Sequence, residues 1–172
     1  MPQIPTTLAY IALGSNLGDR EAHIKHALAM LIESPKVEVR RISSFMENPA
    51  VGGPEDSPDF LNAAVEVHTT LSPRDLMKRL LEIEKSMGRE RRIKWEPRVI
   101  DLDLLLHGIA IVSTDELIVP HPLMHERKFV LQPLAEIAPN AIHPTLQVTV
   151  AGLLDGLRKG RKRLASPDEI ED

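Results

Sequence analysis

Two helical segments, each bracketed by strand-like runs, constrain the fold of this chain more than any other feature. Thr7 to Leu13 is apolar and partly β-branched and stops at Gly14, the pattern of a buried strand entering a turn. Asp19 is placed to cap a helix in which Ile24, Ala27, Leu28, Leu31 and Ile32 recur at helical spacing, and Ser34-Pro35 ends it. Val37 to Met46 reads as a second strand. Phe60 to Thr69 reads as a third, with Phe60, Asn62, Ala64 and Glu66 on one face and Leu61, Ala63, Val65 and Val67 on the other. Ser72-Pro73-Arg74-Asp75 opens a second helix with a capping serine, a proline at the first helical position and an acid three residues on. Leu76, Leu80, Ile83 and Met87 form its buried stripe, and Gly88 ends it. Val99 to Leu106 is a fourth strand, and Ile109 to Val112 is expected to pair back with it.

This β-α-β-β-α-β succession predicts an α+β protein with a ferredoxin-like core in three αβα layers. Further elements follow: a helix near His125 to Ala135, a last one from Thr149 to Leu157, and an additional C-terminal strand. The 172 residues suit one domain, taken as 1–159, with 160–172 a charged tail expected to be disordered. The chain has no cysteine, which removes disulfides, thiolate metal sites and cysteine nucleophiles. Apolar residues are 42% but aromatics only 3%, so the core must be aliphatic and an aromatic beside polar residues stands out. The N-terminus lacks a basic region followed by an apolar run, so no signal peptide is expected, and no apolar run approaches the roughly 20 residues that span a bilayer. A cytoplasmic protein, not engaged with membranes, is the expectation.

The most informative segment runs from Arg89 to His107. In a strand Asp101 and Asp103 share a face, their α-carbons about 6.7 Å apart, while Ile100, Leu102, Leu104 and Leu106 take the opposite, core-facing side. Two carboxylates aimed the same way repel unless a cation sits between them or water solvates them, and Mg²⁺ is a natural partner. Arg89, Arg91, Arg92, Lys94 and Arg98 precede the pair, and Arg127 and Lys128 follow. Carboxylates that hold a metal, with arginines to neutralise phosphate oxygens, are what metal–polyphosphate chemistry needs. A solvated Asp-x-Asp on an edge strand beside an ordinary basic loop accounts for the same residues.

Other segments carry weaker signals. Gly14-Ser15-Asn16-Leu17-Gly18-Asp19 lacks the lysine of a P-loop and the spacing of a dinucleotide loop, so a structural turn is favoured. Glu47 to Asp59 is proline-rich with two adjacent glycines, a long loop of the kind that often carries function. Glu84 lies beside the buried stripe of its helix. His121 and His125 suggest a zinc pair, but Pro122 puts His121 ahead of the helix and no third ligand is evident. Two rivals to a phosphotransferase remain: an RNA-binding module on a ferredoxin-like sheet, against which the net charge of −4 argues, and a zinc hydrolase built on the two histidines.

Several ordered segments resemble those of the hydroxymethyl-dihydropterin pyrophosphokinase family of folate biosynthesis. They are Ala12-Leu-Gly-Ser-Asn-Leu17, Phe60-Leu-Asn-Ala-Ala-Val65, Pro97-Arg-Val-Ile-Asp-Leu-Asp103, and Val119-Pro-His with Arg127-Lys-Phe129, spanning Tyr10 to about Pro139. The resemblance implies an ATP-dependent diphosphotransferase that moves pyrophosphate from ATP to the hydroxymethyl group of 6-hydroxymethyl-7,8-dihydropterin and releases AMP. It implies that Asp101 and Asp103 hold two Mg²⁺ ions, and that Arg89 and Arg98 act with them on the triphosphate. Glu84, Arg91, His121 and Arg127 would complete the ATP site. Asn62 would read the pterin edge, and Phe60 and Phe129 would stack on its faces. Asn48, Pro49, Val51 and Trp95 would line the pocket, with Arg91 and Trp95 on the loop that closes over the substrates. The implied enzyme is a cytoplasmic monomer with small-molecule partners and no nucleic acid.

The chain departs from the family pattern in places. Trp95-Glu96-Pro97-Arg98 replaces the common Trp-Gly-Pro-Arg, the stretch from Arg89 to Trp95 is short, Phe60 stands where a tyrosine is usual, and Glu116 stands where some members have arginine. Phe60, Trp95 and Phe129 are three of only five aromatics, a bias that favours a ligand role for these rings. Phe60 and Asn62 share a strand face, so a ring and an amide can address one flat heterocycle.

Overall fold

The computed structural model describes residues 5–48, 59–88 and 99–164, without the side chains of 161–164. β1 (Thr7–Ser15) lies inside the main sheet, antiparallel to β4 (Phe60–Thr69) on one side and to β5 (Asp101–His107) on the other. β2 (Val37–Ile42) pairs with the far side of β4, so the strand order is β2-β4-β1-β5, all antiparallel. Antiparallel pairing and the chain order make this the predicted βαββαβ core.

The expected strand from Val37 to Met46 is two pieces. β2 ends at Ile42, and β3 (Met46–Asn48) resumes along β4 opposite Phe60 to Asn62. Ser43 causes the break: its hydroxyl accepts from the Ala64 N–H at 2.8 Å, standing in for a backbone carbonyl, while its N–H donates to the Ala64 carbonyl.

Local capping defines the helices as the sequence predicts. In α1 (Arg20–Ile32) the Asp19 carboxylate accepts from the Ala22 N–H at 3.1 Å. In α2 (Pro73–Ser86) the Ser72 hydroxyl accepts from the Asp75 N–H at 3.1 Å, with Pro73 in the first turn. Both helices cover one face of the sheet. Ile24, Leu31, Leu76, Leu80 and Ile83 pack there on Ile11, Leu13, Ala63, Val65, Leu102 and Leu104, a mostly aliphatic layer with Phe45 packed against its edge. Met87 is partly buried against it, and Glu84 is buried in the stripe.

α3 (Lys128–Ile137), entered through a 3-10 turn at Met124–Glu126, and α4 (Val150–Leu164) cover part of the opposite face. This completes three layers. α4 runs past the expected end at Leu157 and past Gly160, where the tail was expected to start. Thr149 caps it, accepting from the Gly152 N–H at 3.0 Å, and Leu153, Leu154 and Leu157 pack on the second core. Asp155 and Lys159, 2.9 Å apart, pair across a turn of it.

Two expectations around β5 fail. Leu106 joins the second core, not the first. The register runs Ile11↔Leu104 and then Tyr10↔Leu106, so Leu105 is an extra residue, and the bulge turns Leu106 to the other face. Nor does Ile109 to Val112 pair with β5. Gly108, at φ +56°, turns the chain away, and β6 (Val112–Ser113) pairs instead with β7 (Ile118–Val119). The outer edge of β5 is occupied by other groups: the Glu84 carboxylate meets the Leu102 N–H, and the His121 N–H meets the Leu105 carbonyl at 2.9 Å. β8 (Ile142–His143) and β9 (Val148–Thr149) form a second small hairpin before α4.

Candidate active site

Strand alternation gives the second face of the sheet two ends of different character. Under α3 and α4 it presents Tyr10, Ala64, Leu105 and Leu106. Towards the end of β1 it presents one row of register partners across three strands, Asn62–Gly14–Asp101, and beside it a second, Ala64–Ala12–Asp103. Directly opposed residues of neighbouring strands have Cβ atoms about 5 Å apart. The amide and the two carboxylates therefore share one face, separated only by glycine and alanine. Asp101 and Asp103 are both half-buried. Two hard oxygen donors two residues apart on one strand face suit a divalent cation of the Mg²⁺ type.

Gly14 sits where a side chain would be tight. A Cβ there would stand 3.1 Å from Asn62 Oδ1 and 3.6 Å from Phe60 Cδ1. Asn62 Nδ2 donates to Asn48 Oδ1 across the β3–β4 pair. That bond fixes the amide orientation, with the Asn62 oxygen on the Gly14 side. Phe60, half-buried, precedes Asn62 on the same face. The structure thus brings Asn48, Phe60 and Asn62 together, as the shared-face reading requires.

His121 lies close enough to both Asp103 and Arg127 to feel their charges. Burial holds its imidazole below the ordinary histidine range, Asp103 pulls it up, and Arg127 pushes it further down. Nδ1 accepts from the Leu123 N–H at 3.2 Å, so the neutral ring carries its proton on Nε2 and can donate from there. The Arg127 guanidinium sits 5.8 Å from the centre of the Phe129 ring, and Phe129 packs on the second core from the start of α3. His125 does not join His121. It faces His143 edge-on with centroids 6.2 Å apart, and no group of three His, Cys, Asp or Glu able to hold a metal occurs among the described residues.

Glu84 approaches from the other layer, where Oε2 accepts from the Leu102 N–H at 2.7 Å, between the two aspartates. Arg20 is a residue that sequence reasoning missed. It donates to Glu47 and, at 2.9 Å, to the Asp59 carbonyl, which lie on either side of residues 49–58 in the sequence. Its partners lie far along the chain, so no local pattern signals it. Arg89, Arg91, Arg92, Lys94, Trp95, Glu96, Pro97 and Arg98, with Pro49 and Val51, lie outside the described residues.

The sequence profile of the 7,8-dihydro-6-hydroxymethylpterin-pyrophosphokinase (HPPK) family matches residues 10–139. A 2-amino-4-hydroxy-6-hydroxymethyldihydropteridine pyrophosphokinase of Bacillus subtilis is 50% identical over 130 residues, 76% of this chain and 77% of its own. The like-named protein of Aquifex aeolicus is 42% identical over 135 residues, 78% of this chain and 82% of its own. The folic acid synthesis protein FOL1 of Dictyostelium discoideum is 42% identical over 142 residues, 83% of this chain but only 21% of that much longer protein. Among solved structures, the HPPK-DHPS of Plasmodium falciparum superposes with a TM-score of 0.71 over 98% of this chain and 45% of its own. At 14% identity that likeness speaks for the fold alone. A profile match across three quarters of the chain, containing the whole Asn62–Gly14–Asp101 row, makes this protein a member of the HPPK family.

Proposed function

We propose that this chain performs the family's pyrophosphoryl transfer on the end of the second sheet face that carries Asn62, Asp101 and Asp103. The reaction moves the β,γ-pyrophosphoryl group of ATP to the hydroxymethyl oxygen of 6-hydroxymethyl-7,8-dihydropterin. The alcohol oxygen bonds to the β-phosphorus, the bond from that phosphorus to the α–β bridging oxygen breaks, and AMP leaves with that oxygen. Positioning and charge neutralisation supply most of the rate in such chemistry.

Asn62, steadied by Asn48, reads the polar edge of the pterin, and Phe60 and Phe129 stack on its faces. Asp101 and Asp103 hold Mg²⁺, two ions in our reading, which when bound offsets the charge of the phosphates. His121 donates from Nε2 and Arg127 from its guanidinium to phosphate oxygens. Arg89, Arg91 and Arg98 add charge along the triphosphate, and Trp95, Pro49 and Val51 line the pterin pocket, on family resemblance. We assign no general base.

The observation that carries this reading is the Asn62–Gly14–Asp101 register row, in which an amide and a carboxylate flank one glycine on the same sheet face. In a mixture of protein, ATP, Mg²⁺ and the hydroxymethyl pterin, AMP and pterin diphosphate should form one for one. Release of ADP or free phosphate, with the pterin unchanged, would overturn the assignment. No helix among the described residues is long and apolar enough to cross a membrane. A cytoplasmic monomer with one catalytic domain over 1–159 completes the proposal.

A further inference from the structure

Among the described residues Glu84 is the one buried carboxylate, 6% exposed within a helix stripe otherwise lined by leucine and isoleucine. A buried charge is costly unless strong hydrogen bonds compensate it. Its Oε2 takes the Leu102 N–H at 2.7 Å, the short distance of a charge-assisted bond. Leu102 is the residue between Asp101 and Asp103. β5 is the terminal strand of its sheet, and an outward N–H on such a strand has no neighbouring strand to receive it. On the inner side, β1 fixes Gly14 opposite Asp101 and Ala12 opposite Asp103. On the outer side, Glu84 anchors the peptide between them.

We infer that Glu84 is a positioning residue. Through the Leu102 peptide it sets the spacing and aim of the Asp101 and Asp103 carboxylates, and so the affinity of that pair for its divalent cation. The inference rests on the reading of Asp101 and Asp103 as the metal-holding pair. It gives Glu84 a role separate from the nucleotide contact that family resemblance implies. The bond crosses from one sheet layer to the opposite face: the carboxylate belongs to the α2 side, while the side chains it aims stand on the other.

Two conservative variants separate the hydrogen bond from the charge. E84Q keeps an oxygen at the same reach and removes the charge. E84D keeps the charge and falls one methylene short of Leu102. Three quantities are read on the full chain: hydrogen exchange of the Leu102 amide by NMR, the Mg²⁺ concentration that half-saturates AMP release, and the KM for ATP at saturating Mg²⁺. In E84D the Leu102 amide should lose its protection, and the half-saturating Mg²⁺ should rise about 10- to 100-fold, the usual effect of losing a group that orients metal ligands. In E84Q the amide should stay protected and the Mg²⁺ requirement should stay within about threefold of the parent.

The reverse pattern, with E84D normal and E84Q impaired in ATP KM, would show that Glu84 acts by charge on the nucleotide, and the inference falls. Equal loss in both variants, or no loss in either, overturns it too. A parent enzyme whose transfer ignores Mg²⁺ would instead defeat the reading of the aspartate pair, while Leu102 protection would still report the Glu84 bond itself.

Discussion

The two faces of the main sheet are made from alternate residues of the same strands, yet they differ in kind. Towards α1 and α2, β1 presents Ala9, Ile11 and Leu13, β4 presents Leu61, Ala63, Val65 and Val67, and β5 presents Leu102 and Leu104, all buried among aliphatic side chains. Towards α3 and α4, only one end is packed. The other carries Asn62, Gly14, Asp101 and Asp103, with Ala12 and Ala64 at the border between the two ends. One face is filled for stability; the other is thinned where a flat ligand and its phosphates would lie. Residues adjacent in sequence should therefore fail in opposite ways.

Asp103 and Leu102 give the largest contrast. Asp103→Asn should cut pyrophosphoryl transfer by about a thousandfold, the several kcal/mol a lost metal site removes, with little change in Tm. Leu102→Ala removes a side chain 1% exposed and should cost about 2–5 kcal/mol of stability, while the folded fraction retains turnover. Denaturant melts and AMP release, measured on both variants, test the pair. If Asp103→Asn unfolds the chain, or Leu102→Ala abolishes turnover without loss of stability, the division between the faces is wrong.

Gly14→Ala sharpens the comparison within the ligand face. The added methyl would press on Asn62 Oδ1 at 3.1 Å and touch Phe60. Overpacking of about 1–3 kcal/mol corresponds to a rise of about five- to 150-fold in pterin KM, with ATP KM changed less than about twofold. Steady-state kinetics with each substrate varied in turn decides it. An equal rise in both constants would mean that Gly14 serves the sheet and not the pterin.

The features legible in the sequence were local. Alternation along Phe60–Val67 sorted both faces of β4, alternation along Ile100–Leu104 put the aspartates opposite the core, and Asp19, Ser72 and Pro73 marked two helix starts. Features that depend on a partner across the fold were not legible. The bulge at Leu105 needs the β1 register, the Ser43 break needs Ala64, and β6 found β7 because Gly108 turned it from β5. Glu84 was visible as a carboxylate beside a buried stripe, but its bond to Leu102 spans two layers. Arg20 left no local trace, since Glu47 and Asp59 lie 27 and 39 residues away.

Arg20 tests whether the edge of the ligand face depends on its framing. It bonds Glu47 and Asp59, which flank residues 49–58 in the sequence, and the ion-pair partner Glu47 is largely exposed, which weakens that pair through solvent screening. Arg20→Ala should raise pterin KM only about two- to fivefold and leave ATP KM unchanged. A larger effect on ATP than on the pterin would remove the Glu47–Asp59 bridge from the pterin side.

The smallest effect concerns the packed end of the second face, where His143 stands edge-on to His125. Burial, and then the neighbouring His125, hold His143 below the ordinary value of 6.5, against a smaller backbone hydrogen bond that raises it. The unfolded chain therefore takes up a proton near pH 6.5 that the native state refuses. Stability contributed by the neutral ring is complete above that pH and is lost as pH falls towards the depressed native value. In His143→Asn the amide oxygen can replace Nδ1 as acceptor for the Leu146 N–H, which lies 3.1 Å away, and nothing titrates. Between pH 7 and 5 the Tm of the parent should fall more than that of the variant, by on the order of 1–2 °C for a chain of this length. AMP release at neutral pH should stay the same, because this end packs and the proposed chemistry lies at the other. Equal slopes in the two melting profiles would move the acid sensitivity away from His143. A loss of turnover in His143→Asn would mean that the two ends of this face are not independent.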